Sequence, residues 1–143
     1  MKATELMIGD WVCLKDDTKC KFPLKVDGVL TDDISLEGEG FLGGVDELIR
    51  PIPITLEILV KNGFYDRNTQ WYYKRFGSYV CFDIAISLVY KEIEVSKVCG
   101  AGTDCEEEEY GSSIVFGNDI CVHTLQHLLR LCGLDELADN FKI

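Results

Sequence analysis

No apolar run in this 143-residue chain approaches the ~18 consecutive residues that a membrane-spanning helix needs. Proline is scarce, and two of the three prolines stand nearly together at Pro51 and Pro53. Histidine is scarcer: His123 and His127 are the only two. Positive charge is also in deficit, with 14 Lys and Arg against 25 Asp and Glu and a net charge of −11. That balance disfavours nucleic acid or an anionic membrane as a direct partner. The seven cysteines contain no C-x-x-C pair, so the paired short spacing of a structural zinc site is missing, Cys99 and Cys105 included. P-loop, G-x-G-x-x-G, G-x-S-x-G and kinase signatures are all absent, and no cofactor is implied. Gly38-Glu39-Gly40 precedes a strand rather than a helix, which excludes a phosphate cradle there.

What remains is an ordinary globular composition, 47% apolar and 27% charged, enough for one domain or two small ones. Met1 to Glu5 leads into no apolar export region, so a cytoplasmic protein with reduced thiols is expected. Cys13, Cys81, Cys121 and Cys132 sit among apolar residues as small hydrophobes, while Cys20, Cys99 and Cys105 read as loop-borne.

The fold class expected is α+β. Residues 1–54 read as five short strands with tight turns, an SH3-like small β-barrel module. Leu24 and Val26 share one face of the second strand, and Gly38, Gly40, Gly43 and Gly44 bracket a short strand at Phe41-Leu42. Arg50-Pro51-Ile52-Pro53-Ile54 is the joint, because each proline forbids helix at the residue before it. Residues 55–143 read as an α+β unit: a short helix, an antiparallel sheet and one C-terminal amphipathic helix covering it. Thr55 caps Leu56 to Lys61 and Asn62-Gly63 stops it, with Leu56, Leu59 and Val60 facing an end of the barrel. Strands follow over 70–75, 79–85, 88–95 and 112–116; the third mixes parities, as an edge strand or a bulge would. The last helix spans about 120–132, capped by Asn118 or Asp119 and ended by Gly133, with a further helical turn near 135–138. Val122, Leu125, Leu128, Leu129 and Cys132 form its apolar stripe, and His123, Gln126, His127 and Arg130 fill the opposite side.

Four groups of residues could carry chemistry. His123 and His127, at i and i+4, can grip one metal ion, but a zinc peptidase needs Glu directly after the first His and position 124 is Thr. Cys121 is close to His123 in sequence, yet residues two apart on a helix point to different sides, which argues against a nucleophile–base pair. Trp71, Tyr73 and Arg75 lie in a strand rich in aromatic residues, and Tyr and Arg dominate protein interface hot spots. Glu106 to Glu109 is the densest charge, a solvated acidic loop or a contact for a basic protein. Net charge divides as −5 over residues 1–54, +1 over 55–98 and −7 over 99–143, so the acidity lies at the two ends.

Three stretches taken together, Glu5 to Val12, Pro51 to Thr55 with Lys61 to Phe64, and Val122 to Gly133, resemble a group of small proteins of gut Bacteroides-type bacteria and their phages. The resemblance covers both ends and the joint. It implies a bacterial or phage source and no particular activity.

These readings converge on a non-enzymatic, cytoplasmic protein–protein interaction module, with Trp71, Tyr73, Arg75, His123, His127 and Arg130 as candidate contacts. One alternative is a metal-dependent hydrolase built on His123 and His127, facing water from their helix. The other is an acidic decoy that occupies a nucleic-acid-binding protein.

Overall fold

Short apolar segments alternate with turns that few residue types tolerate, and the elements follow those breaks. The computed structural model describes every residue except 67–69, 78–79, 100–108 and 118–119. Two units result: residues 1–53 with 121–141 and 143, and residues 54–120 with 142.

In the first unit a 3-10 turn at Ala3–Glu5 precedes β1 (Trp11–Leu14), β2 (Leu24–Val29), β3 (Ile34–Leu36), β4 (Gly40–Leu42), a short helix α1 (Val45–Leu48) and β5 (Ile49–Pro51). The strands form one antiparallel sheet in the order β4-β3-β2-β1-β5. Val12, Val26, Ile34, Leu36, Val45 and Ile49 meet on its inner face with Ala3 and Leu6. On β4 the side away from this core leaves Phe41 65% exposed. The five strands expected here are present, but the closed barrel is not: the sheet is open. Its edge strands β4 and β5 have three residues each, which offers few backbone groups for closing a ring.

The chain ends in two helices rather than one, α3 (Val122–Leu131) and α4 (Asp135–Asp139), and both belong to the first unit. The second unit, expected to run from 55 to 143, thus closes at 120 apart from Lys142. The helix expected to cover the second sheet instead begins on the joint: Val122 N donates to Ile52 O at 2.9 Å beside a Pro53–Cys121 bridge. The apolar stripe is as the period predicts, with Val122, Leu125, Leu128 and Leu129 buried. Gly133, at φ 73°, ends α3 as Leu134 N reaches back to Leu129 O. Cys121 holds the N-cap position, and the expected caps Asn118 and Asp119 lie outside the described residues.

The second unit comprises α2 (Leu56–Lys61), β6 (Tyr65–Asp66), β7 (Tyr72–Gly77), β8 (Val80–Ser87), β9 (Glu92–Cys99) and β10 (Glu109–Gly117). Its sheet is an antiparallel meander in the order β10-β9-β8-β7-β6. Thr55 caps α2 by accepting from Ile58 N, and Gly63 takes φ 78° after it. Ile58 and Leu59 are the buried residues of α2, whereas Leu56 and Val60, expected on its inward face, are exposed, and α2 belongs to this unit. Lys74 Nζ bonds Asn62 O past the helix end and lies 5.0 Å from the Phe76 ring centroid. Residues 88–91 form a turn, not the start of a strand, held by Tyr90 N donating to Ser87 Oγ. Ile84 and Ile86 pair with Val95 and Ile93 on one face, while Cys81 pairs with Val98 on the other. The expected edge strand or bulge over 88–95 is thus corrected: the mixed parity comes from joining that turn to a strand that alternates from Glu92, with Ile93 and Val95 buried, and that pairs with both β8 and β10. No helix among the described residues is long and apolar enough to cross a membrane.

Candidate functional site

The polar face of α3 meets the turn that leads into β1. Gly9 stands there at φ 91°, and a Cβ on it would lie 2.8 Å from Arg130 Nη2 and 3.0 Å from Asp139 Oδ1. Only glycine fits that conformation and that approach. The turn carries Asp10 inward to complete burial. Its carboxylate accepts from Met7 N at 2.8 Å and from Arg130 Nη1 at 2.7 Å, and it meets His127 Nε2 at 2.6 Å. Burial alone would raise the Asp10 pKa; the bonds from His127, Met7 N and Arg130 outweigh it and hold the carboxyl below its ordinary value. Arg130 continues the chain of charges to Asp139 at 3.0 Å.

Gln126 is also fully buried. Its Oε1 accepts from Trp11 N at 3.0 Å, and its Nε2 donates to Gly9 O and Ala138 O at 2.9 and 2.8 Å. The amide thus serves the backbone of β1 as a neighbouring strand residue would, and among the described residues no buried side-chain nitrogen or oxygen lacks a partner. Trp11 Nε1 donates to Phe141 O, and Lys25 Nζ to Asp139 O. Together these bonds fasten α3, α4 and the C-terminal residues to β1, to β2 and to the turn before β1.

Cys121 and His123 are brought together, contrary to the expectation from helical spacing. Cys121 is the N-cap, with φ −138° and ψ 170°, so the rule for residues inside a helix does not govern its side chain. Its Sγ lies 3.1 Å from His123 Nδ1, 3.5 Å from Nε2 and 2.9 Å from Thr124 Oγ1. Burial pushes the His123 pKa down, which favours the neutral ring. A nucleophile–base pair needs a group orienting the far nitrogen of the imidazole. Here both nitrogens lie near the same sulfur, and Cys121 is only 6% exposed.

The expected water-facing helix side is therefore corrected. Gln126 is buried, and the His127 and Arg130 side chains are 22% and 14% exposed. His123 and His127 stack edge to face at 5.7 Å between centroids. Two atoms sharing one zinc ion at ~2.0 Å each stand farther apart than the 2.6 Å between His127 Nε2 and Asp10 Oδ2, so that contact is a hydrogen bond. No group of three or more His, Cys, Asp and Glu among the described residues is placed to hold a metal.

Of the strand candidates, Trp71 precedes β7 and tilts against Tyr90 at 6.3 Å. Tyr73 is half-buried between Tyr65 and Ala85 in the sheet register. Arg75 clamps its cross-strand neighbour Asp83 through Nε and Nη2 at 2.7 and 2.8 Å, so its guanidinium is already engaged. Cys105 and Glu106 to Glu108 lie outside the described residues, and Glu109 is described by backbone alone as the first residue of β10.

A feature that sequence reading missed lies at the open end of the first sheet. Two adjoining depressions of about 390 and 420 Å³ share Leu14, Asp16 and Glu39 in their walls. Leu14, Leu24 and Leu42, the fringe of the core, form the apolar floor. Phe22 (74% exposed) and Leu48 (43%) border it. The loop over 15–23 is held in place by a Cys13–Cys20 disulfide, by Phe22 N donating to Asp17 Oδ2 at 2.8 Å and by Arg50 Nη2 donating to Asp17 O at 2.6 Å. The bridge corrects the expectation of reduced thiols at those two positions. Backbone donors from Phe22 and Lys21 hold the Asp17 pKa below its ordinary value.

Comparison with protein-family models, with curated proteins and with solved structures finds no match.

Proposed function

We propose that the protein is a non-enzymatic, cytoplasmic protein–protein interaction module of bacterial or phage source, and that its first unit works in the manner of an SH3-like domain. The observation that carries this reading is the open groove: an apolar floor of Leu14, Leu24 and Leu42 lies beside an exposed Phe22. Solvent-facing apolar surface of this kind marks a contact site. The strand order, with a short helix just before β5, supports the comparison with an SH3-like module. The polar cluster supports the non-enzymatic half of the reading, because Asp10, His127 and Arg130 are engaged with one another and Gln126 with the backbone at Gly9, Trp11 and Ala138.

Immobilised protein and its Phe22→Ser variant, each exposed to lysate of the native host, test the reading. A protein retained by the first and lost from the second, identified by mass spectrometry, is the expected result. Identical retention by both overturns it. So does stoichiometric zinc in untagged protein that disappears on His127→Ala, which would favour a hydrolase.

A further inference from the structure

We propose that the groove at the open end of the first sheet binds a cationic, amphipathic segment of a partner protein, one in which arginine alternates with aliphatic residues. This deepens the interaction reading and rests on it.

The rim decides the sign of the ligand. Asp16, Glu39 and Glu47 line the two depressions with Lys15 as the one cation, and Asp17 adds a fourth carboxylate beside Phe22. A carboxylate rim around apolar floor leaves an anionic peptide repelled and a neutral apolar one without polar partners. Arginine suits both parts: its planar guanidinium pairs with carboxylates in two places and stacks on an aromatic face, which Phe22 offers. The floor needs something else, namely aliphatic side chains between the cations. Two depressions with a shared wall match two such side chains on one strand-like segment. The net charge of −11 steers a basic partner toward the molecule from outside contact distance. The disulfide and the two bonds to Asp17 fix one wall before any ligand arrives, which lowers the ordering cost of binding.

Fluorescence anisotropy with a labelled ten-residue peptide alternating arginine and leucine tests the proposal. A peptide with glutamate in place of arginine serves as control. The protein is expected to bind the first and not the second. Asp16→Lys with Glu39→Lys should weaken binding at least tenfold, and Phe22→Ser about fivefold. Asp135→Lys with Glu136→Lys makes the same change in net charge on exposed residues of α4 and should stay within twofold. Equal losses from the two charge-reversal pairs, no loss from Phe22→Ser, or binding of the glutamate peptide would each overturn the proposal. If no arginine–leucine peptide binds while lysate capture still depends on Phe22, the ligand chemistry is wrong and the interaction reading stands. If capture is independent of Phe22, both fall.

Discussion

Asp10, wholly buried in the turn before β1, meets His127 in the middle of α3 at 2.6 Å. The same carboxylate takes Arg130 Nη1 at 2.7 Å, so one side chain of the turn holds two of the helix. Removing it takes that bond from a guanidinium mostly shielded from water, which keeps Asp139 Oδ1 and Ile8 O as partners. Breaking a buried pair from one side costs about 3–5 kcal/mol, and the partners that Arg130 retains put this case at the lower end. Asp10→Ala should lower first-unit stability by that order, read as loss of amide exchange protection along α3. Protection equal to the wild type would show that the ion pair contributes nothing.

Two groups of this cluster make the first unit acid-sensitive in two stages. His123 has its folded pKa below the ordinary 6.5 through burial, so the unfolded chain takes up a proton more readily. Its contribution is intact above pH 6.5 and declines as pH falls from there to the folded value. Asp10, likewise depressed, contributes fully above 3.8 and loses that contribution as pH falls through its lower folded value. Urea midpoints at pH 8, 5 and 3 should therefore fall in that order, and His123→Gln should remove its contribution to the first stage. A midpoint rising between pH 8 and pH 5 contradicts this.

Gln126→Leu tests whether the amide or merely its bulk matters. The change keeps the volume but strips partners from Trp11 N, Gly9 O and Ala138 O. Buried backbone groups left without partners cost about 1–3 kcal/mol each, so a total near 3 kcal/mol is expected by urea unfolding. Gln126→Glu supplies acceptors but no donor and should not rescue it. Stability unchanged in the leucine variant would mean that water replaces the amide.

Much of this was legible in the sequence. Thr55 and Gly63 mark the ends of α2, and the stripe Val122, Leu125, Leu128, Leu129 marks the inward side of α3. The destination of the other side was not. Helical period says which residues share a face, while the opposing surface depends on which element the helix docks against. Gln126, His127 and Arg130 look like a solvated side until Gly9 and Asp10 are placed opposite them. Cys121 escaped for a different reason: as an N-cap it obeys extended rather than helical geometry.

Gly9→Ala should weaken the same junction without removing a polar group. An alanine at φ 91° is strained, and its methyl would enter the space between Arg130 and Asp139. A loss of about 2 kcal/mol is expected by urea unfolding, with Gly38→Ala, where a Cβ meets nothing within 4 Å despite φ 86°, as the control for backbone strain alone. Equal losses at the two glycines would assign the whole effect to the backbone.

The Cys13–Cys20 bridge ties β1 to the wall of the groove, and its Cα atoms stand 5.7 Å apart, within the span of a disulfide. The proposed cytoplasmic setting exposes it to glutathione, so its state there follows the local thiol poise. A separation of seven residues closes a short loop, worth about 2.5 kcal/mol by the chain-entropy relation. Cys20→Ser, at the half-buried end of the bridge, should lower the urea midpoint accordingly and equal the wild type treated with dithiothreitol. Non-reduced peptide mapping of oxidised protein should recover Cys13 joined to Cys20. Because the loop it restrains carries Asp16, Asp17 and Phe22, reduction should also weaken the arginine–leucine peptide several-fold. A serine variant as stable as oxidised wild type, with unaltered peptide affinity, would remove the bridge from both roles.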